Sequence, residues 1–181
     1  MAKILIIFGS GEGQTAKVAK TIGKRIRARG HDADVFNGKS IPRGFDIEQY
    51  AAIIVAASVR KQKYQRYIVN FAKKYRARLD SVPSAFVSVS MAAARSSDPK
   101  SGILKVWLDQ FITKTGWNPA HFASFAGALM YRKYNFFIRF TMKKISQKSG
   151  LPTDTSRNHE FTDWDAVGHF ADEFADTLAN S

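Results

Sequence analysis

Two almost uninterrupted apolar runs, KILIIF at 3–8 and AAIIVAAS at 51–58, constrain the fold more than any other feature. A strand that is apolar at nearly every position has no side for solvent, so its sheet must be covered on both faces. The segments between such runs have helical spacing. Val18, Ala19, Ile22 and Ile26 recur along 15–29 until Gly30 stops them, Ile68, Phe71, Ala72, Tyr75 and Leu79 along 65–80, and Leu104, Val106, Leu108, Phe111 and Ile112 along 102–115. HDADVF at 31–36, AFVSVS at 85–90 and HFASFAGAL at 121–129 supply three further strands. Such alternation predicts an α/β three-layer sandwich around a five-stranded parallel sheet.

One stretch breaks the rhythm. Compact domains join their elements by short connections, so the roughly thirty residues at 130–161 read as an insert before the last helix. Its segment YRKYNFFIRFTMKKISQKSG (131–150) carries Arg132, Lys133, Arg139, Lys143, Lys144 and Lys148 and no acid. On a helix over about 133–148, Tyr134, Phe137, Ile138, Thr141, Met142 and Ile145 share one face, as a core-facing stripe would, while Phe136 and Phe140 fall among lysines. The last helix is expected to open at Thr162 with Asp165 as its capping-box partner, and to turn Val167, Phe170, Ala171, Phe174 and Leu178 inward. No repeat or linker divides the chain, so 1–181 reads as a single domain.

Composition narrows the chemistry. With no cysteine, disulfides, thiolate catalysis and Cys-ligated metals are excluded, and a reducing compartment is the natural setting. Met1-Ala2-Lys3 leads straight into the first strand, so no secretory leader is expected, and no apolar stretch is long enough to span a bilayer. Against 15 acids stand 28 Lys and Arg, a formal charge of +13 that attracts nucleic acid, acidic proteins, anionic bilayers or carboxylate substrates alike. No metal-binding helix, EF-hand loop or serine elbow is present, so no metal is expected. His31, His121, His159 and His169 are scattered and suit structural roles, His159 being the one that the insert would bring back toward a site.

FGSGEGQT (8–15) follows the first strand and opens the first helix. A dinucleotide fingerprint fails, because Gln14 stands where the third glycine belongs and Asn37-Gly38 follow the second strand in place of an acid. A triphosphate loop fails too, since Gly13-Gln14-Thr15 offers no lysine. What remains is a turn sized for one phosphate at a helix N-terminus, with hydroxyls from Ser10 and Thr15, close approach at Gly11 and Gly13, and the first helical amides. A tight turn whose glycines only satisfy geometry is the alternative.

SGEGQT (10–15) resembles the FMN-phosphate loop of flavodoxin-like proteins, whose sheet order is 2-1-3-4-5. The chain further resembles the bacterial flavodoxin-like protoporphyrinogen oxidase family, the quinone-dependent protoporphyrinogen dehydrogenases. The likeness runs through GQT at 13–15, ASVRKQKY at 57–64, VPSAFVSV at 82–89, FAGAL at 125–129, TDT at 153–155 and TDW at 162–164. Gly11-Glu12-Gly13 departs from the threonine- or arginine-bearing loop more usual there.

This resemblance implies FMN as cofactor, its phosphate on Ser10, Gly11, Glu12, Gly13, Gln14 and Thr15 and its ring between two further loops. Ser58, Val59, Arg60 and Tyr64 in one, with Ser88, Val89, Ser90 and Arg95 in the other, are the candidates, Tyr64 to stack on the ring. Arg60, Lys61, Lys63 and Arg95 would favour electron uptake by a flavin beside them. The implied activity is dehydrogenation of protoporphyrinogen IX to protoporphyrin IX in haem biosynthesis, with electrons passed to a membrane quinone. Lys133, Phe136, Arg139, Phe140, Lys143 and Lys144 would then meet the tetrapyrrole, through its propionates, or an anionic membrane surface, placing the protein at the cytoplasmic face of the inner membrane with no specific nucleic acid as partner. A flavodoxin-type electron carrier or generic quinone reductase is the alternative on the same fold, and a basic membrane- or nucleic-acid-binding module with a degenerate flavin site is the alternative in another class.

Overall fold

The first apolar run becomes β1 (Lys3–Gly9), flanked in parallel by β2 (Asp32–Asn37) and β3 (Ala52–Arg60), so that Ile6 faces Val35 in one ladder and Ile54 in the other. A short β4 (Lys63–Tyr64) folds back antiparallel on β3, and β5 (Ser84–Ser90) and β6 (His121–Ala126) complete the sheet. The strands lie in the order β2-β1-β3-β5-β6. Counting only the five parallel strands along the chain, this is 2-1-3-4-5, as expected. The computed structural model describes residues 1–96, 98 and 100–179; Ser97 and Pro99 of the expected third loop lie outside the described residues.

Among the described residues six α-helices accompany the strands: α1 (Gln14–Ala28), α2 (Arg66–Lys74), α3 (Arg76–Ser81), α4 (Gly102–Thr115), α5 (Phe136–Lys148) and α6 (Trp164–Ala179). Strand residues alternate between faces, and each face has its own core. Ile4, Ile6, Ile54, Ala56 and Val87 pack with Val18, Ile22 and Ile26 of α1 and Val167, Ala171 and Phe174 of α6. Leu5, Ile7, Ile53, Val55 and Phe86 pack with Ile68 and Phe71 of α2, Leu79 of α3 and Leu108 and Phe111 of α4. Burial of each such large side chain contributes about 1.5–3 kcal/mol, so covering both faces is what holds the sheet.

Three boundaries differ from the sequence reading. The helical stretch 65–80 is interrupted at Tyr75, whose φ of −105° and ψ of 21° leave the helical range between α2 and α3. Thr162 does not cap α6: Asp163 Oδ1 accepts from the Ala166 amide at 2.9 Å, while the Thr162 hydroxyl donates to the Ala126 carbonyl at 2.7 Å. The last apolar run breaks at Gly127. There β7 (Ala128–Leu129) leaves the sheet and pairs antiparallel with β8 (His159–Glu160), so the insert departs and returns through one narrow ribbon.

The insert has a small core of its own, in which Leu129, Tyr131 and Tyr134 pack with Met91, Met142, Leu151 and Phe161. Of the stripe expected to face a core, only Tyr134 and Met142 do so. The helix starts at Phe136, capped by Asn135 accepting from the Ile138 amide at 2.9 Å, and Tyr134 is buried ahead of it. Arg139, Met142 and Ser146 turn inward, because Arg139 donates to the Tyr131 and Tyr134 carbonyls and Ser146 Oγ lies 2.8 Å from the Tyr131 hydroxyl. The same register turns Phe137, Ile138, Thr141 and Ile145 outward along with Phe136 and Phe140. Phe136 is 78% and Phe137 80% exposed.

Candidate active site

Backbone geometry at the carboxyl end of β1 prepares an anion site. The Gly13 amide donates to Ser10 Oγ at 2.9 Å, which closes the turn and leaves the Ser10 proton to point elsewhere. Gly13 sits at φ 106°, a conformation glycine alone adopts cheaply, and α1 begins immediately after it. The first intrahelical acceptor is the Gly13 carbonyl, reached by the Lys17 amide at 3.1 Å, so the amides of Gln14, Thr15 and Ala16 precede the helix ladder. No acid stands in the first turn and no side chain caps it. Thr15 is 1% exposed, yet among the described residues its Oγ1 has no hydrogen-bond partner. A buried hydroxyl left unmatched at a helix N-terminus fits a phosphate as the missing acceptor. Gln14, the other buried polar residue of the loop, donates instead to Thr162 Oγ1 at 2.8 Å and ties the loop to the segment before α6.

The second loop is a hairpin. Val59 pairs with Tyr64 and Arg60 with Lys63, across a two-residue turn in which Lys61 and Gln62 have φ of 48° and 62°. Such turns favour Asn-Gly, and non-glycine residues there cost of order 1 kcal/mol each. The strained tip presents Arg60, Lys61 and Lys63 to solvent, and Arg95 is exposed on the 3₁₀ turn Ala92–Arg95 that follows β5. Among the described residues none of these four cations has an ion-pair partner. Ser58 is bonded through amide and hydroxyl to Gln65 at the start of α2.

Several candidates turn out to serve packing. Tyr64 meets Phe86 and Phe111 edge-on at 5.1 and 5.5 Å, and its hydroxyl lies 2.9 Å from Ser88 Oγ. Its half-buried ring is thus packed against β5 and α4. Burial pushes the hydroxyl up to about 12, tempered by the Ser88 bond. Val89 is buried on the α1–α6 side of the sheet, leaving only its backbone for a ligand, and Ser90 Oγ accepts from the Ala93 amide at 3.3 Å. Tyr67 was missed by periodicity. Its buried hydroxyl stands near the Ser10 backbone without a well-formed hydrogen bond among the described residues, and burial raises its pKa against the pull of that backbone.

The insert closes on the first loop. Lys133 Nζ donates to the Glu12 carbonyl at 2.7 Å and the Tyr134 hydroxyl donates to Glu12 Oε2 at 2.8 Å. Arg139, a candidate for substrate or lipid, works inside the insert through its two carbonyl bonds. Lys143 and Lys144 are exposed, and Lys144 lies 4.6 Å over the Phe140 ring. His159 contacts the Asp154 carbonyl at 2.8 Å and the Tyr131 ring, which gives it a structural place.

The strand order, with three loops gathered at the carboxyl ends of β1, β3 and β5, defines a flavodoxin-fold protein, and the profile of the flavodoxin domain family matches residues 5–156. Oxidised flavodoxin 1 of Bacillus cereus superposes with a TM-score of 0.54 at 19% identity, covering 97% of this chain and 98% of that one. Rubredoxin:oxygen oxidoreductase of Desulfovibrio gigas gives 0.61 at 15% identity, covering 98% of this chain, which spans 36% of that longer one. Protoporphyrinogen IX dehydrogenase (quinone) of Escherichia coli strain K12 is 35% identical over 173 residues, 96% of this chain and 94% of that protein. The Leishmania major protein of the same name is 30% identical over 177 residues, 96% of this chain and 74% of that one. The chain belongs to the quinone-dependent protoporphyrinogen IX dehydrogenase family of flavodoxin-domain proteins.

Proposed function

We propose that this protein binds FMN at the carboxyl ends of β1, β3 and β5 and oxidises protoporphyrinogen IX to protoporphyrin IX, passing the electrons to a membrane quinone. The observation that carries the reading is a likeness of 35% identity spanning 96% of the chain to an enzyme of that name. The unmatched Thr15 hydroxyl at the head of α1 supports the cofactor part of it. FMN, when bound, supplies a two-electron acceptor that quinone can discharge.

The chain's own residues bind and orient. Ser10, Thr15 and the amides of 11–16 hold the phosphate, and the backbone at 57–60 and 88–91 lines the ring. Arg60, Lys61, Lys63 and Arg95 stand at the mouth, where they pair with substrate propionates and lower the energy of negative charge arriving in the site. Tyr64 stays protonated at neutral pH, its pKa being raised to about 12, so it is not a base. Among the described residues no helix is long and apolar enough to cross a membrane. Contact with the bilayer falls to α5, whose Phe136, Phe137, Ile138, Phe140 and Ile145 are exposed beside Lys143, Lys144 and Lys148.

Anaerobic mixing of the FMN-loaded protein with protoporphyrinogen IX tests this. The yellow colour bleaches as the first two electrons leave the substrate, added quinone restores it, and porphyrin fluorescence grows once three such cycles have removed six electrons. A flavin that ignores the tetrapyrrole but is reduced by a nicotinamide would replace the reading with a generic quinone reductase.

A further inference from the structure

We propose that Lys133 is a ligand of the cofactor phosphate, so that the anion site is assembled from two distant parts of the chain, the β1–α1 loop and the insert. The inference rests on the FMN reading above.

Residues 9–16 contain no cation, and Glu12 places an acid in the middle of the turn. A phosphomonoester carries roughly −1.5 to −2 charges at neutral pH, so an unrelieved carboxylate beside it opposes binding. The insert relieves that conflict in two ways. Tyr134 takes the Glu12 carboxylate as its acceptor at 2.8 Å and holds it toward the insert. Lys133 brings an ammonium group to the loop itself, with Nζ 2.7 Å from the Glu12 carbonyl and 3.5 Å from where a Cβ on Gly13 would stand. An ammonium group has three protons, and the Glu12 carbonyl uses one.

Lys133 is held there by a built support. It ends the 3₁₀ turn Tyr131–Lys133, whose Tyr131 is fully buried and donates its hydroxyl to the Pro152 carbonyl at 3.0 Å. Arg139 donates to the carbonyls on either side of Lys133, those of Tyr131 and Tyr134. Arg60 approaches the loop from the hairpin, its Cδ 4.0 Å from a Cβ on Gly11, without a bond to the turn. The committed cation is therefore the one from the insert. The independent sign of a ligand in the turn is the orphan Thr15 hydroxyl, 1% exposed. Because Lys133 belongs to the insert and the phosphate to the cofactor, each stabilises the bound position of the other.

Titration of the apoprotein with FMN and with riboflavin, followed by quenching of flavin fluorescence, isolates the phosphate contribution. Lys133→Met keeps the stem and removes the charge; at low salt it should weaken FMN about tenfold, as loss of one exposed charge-assisted bond does, and leave riboflavin unchanged. Lys133→Arg should recover most of the loss, and Lys114→Met, exposed in the last turn of α4, should lose nothing. Equal FMN affinity in wild type and Lys133→Met overturns the inference while the flavin reading stands, and so does equal weakening of both flavins, which would show a structural role. A folded wild type that binds neither flavin removes the inference and the flavin reading together.

Discussion

A Thr15 hydroxyl that is buried and unbonded lowers the stability of the ligand-free protein, since burying such a group without a partner costs on the order of 1–3 kcal/mol. Its retention makes sense where a ligand supplies the partner. Thr15→Val, nearly the same shape, should leave the melting temperature of the apoprotein equal or higher while weakening FMN about tenfold and sparing riboflavin. A fall in apoprotein stability would instead give the hydroxyl a partner within the fold. The closed turn between Ser10 and Gly13 was legible because such a turn is local, a matter of spacing within a few residues. The packing of Tyr64 was not, because a lone aromatic near a loop has no periodicity to tell which way it points, and it meets Phe86 and Phe111 from other elements. Nor was the contact of Lys133 with Glu12, whose partners are 121 residues apart.

Among the elements, α1 and α6 share one face of the sheet and are joined at their exposed edge by a fork. Arg25 Nε donates to Asp172 Oδ1 at 2.9 Å and Arg25 Nη2 to Asp172 Oδ2 at 2.8 Å. The hydrogen bonds from Arg25 hold the Asp172 carboxyl below its ordinary value of 3.8, against a smaller opposing effect of burial. A depressed folded pKa means that the fork's contribution is fully present above the unfolded value and is lost as pH falls through the folded one. Asp172→Asn should therefore have a lower urea midpoint than wild type at pH 7, and the two should converge well below pH 3.8. A gap that persists in acid would trace the effect to packing instead of charge. Strands β1, β3 and β5 were readable as apolar runs, whereas α5 was read with its apolar side inward. A helical stripe shows that one face is apolar, but the side on which the core lies depends on Arg139 and Ser146 finding partners in 131–134, which periodicity does not encode.

Across the whole molecule, the charge of +13 is unevenly matched. Lys17, Arg25 and Arg29 meet Glu160, Asp172 and Asp176 at α1, whereas the cations of the hairpin and Lys143, Lys144 and Lys148 of α5 face solvent without acidic partners among the described residues. On α5 these cations border a surface of exposed phenylalanines, with Lys144 seated over the Phe140 ring. A bilayer satisfies both components at once: each basic residue near an anionic surface contributes up to about 1 kcal/mol, and a fully buried phenylalanine about 1.5–3 kcal/mol. Neither component alone suffices for stable attachment, so binding should require anionic lipid and intact aromatics together. The protein should sediment with phosphatidylglycerol-containing vesicles, remain in solution with purely phosphatidylcholine ones, and be released as salt rises past the range where the Debye length falls to about 3–8 Å. Replacing Phe136, Phe137 and Phe140 by serine should cut anionic-vesicle binding at least about tenfold by removing the buried apolar area, without lowering the melting temperature, since all three side chains are already exposed in the free fold. Sedimentation of the triple variant at the wild-type level, or equal binding of wild type to neutral vesicles, would show that α5 is not the face that meets lipid.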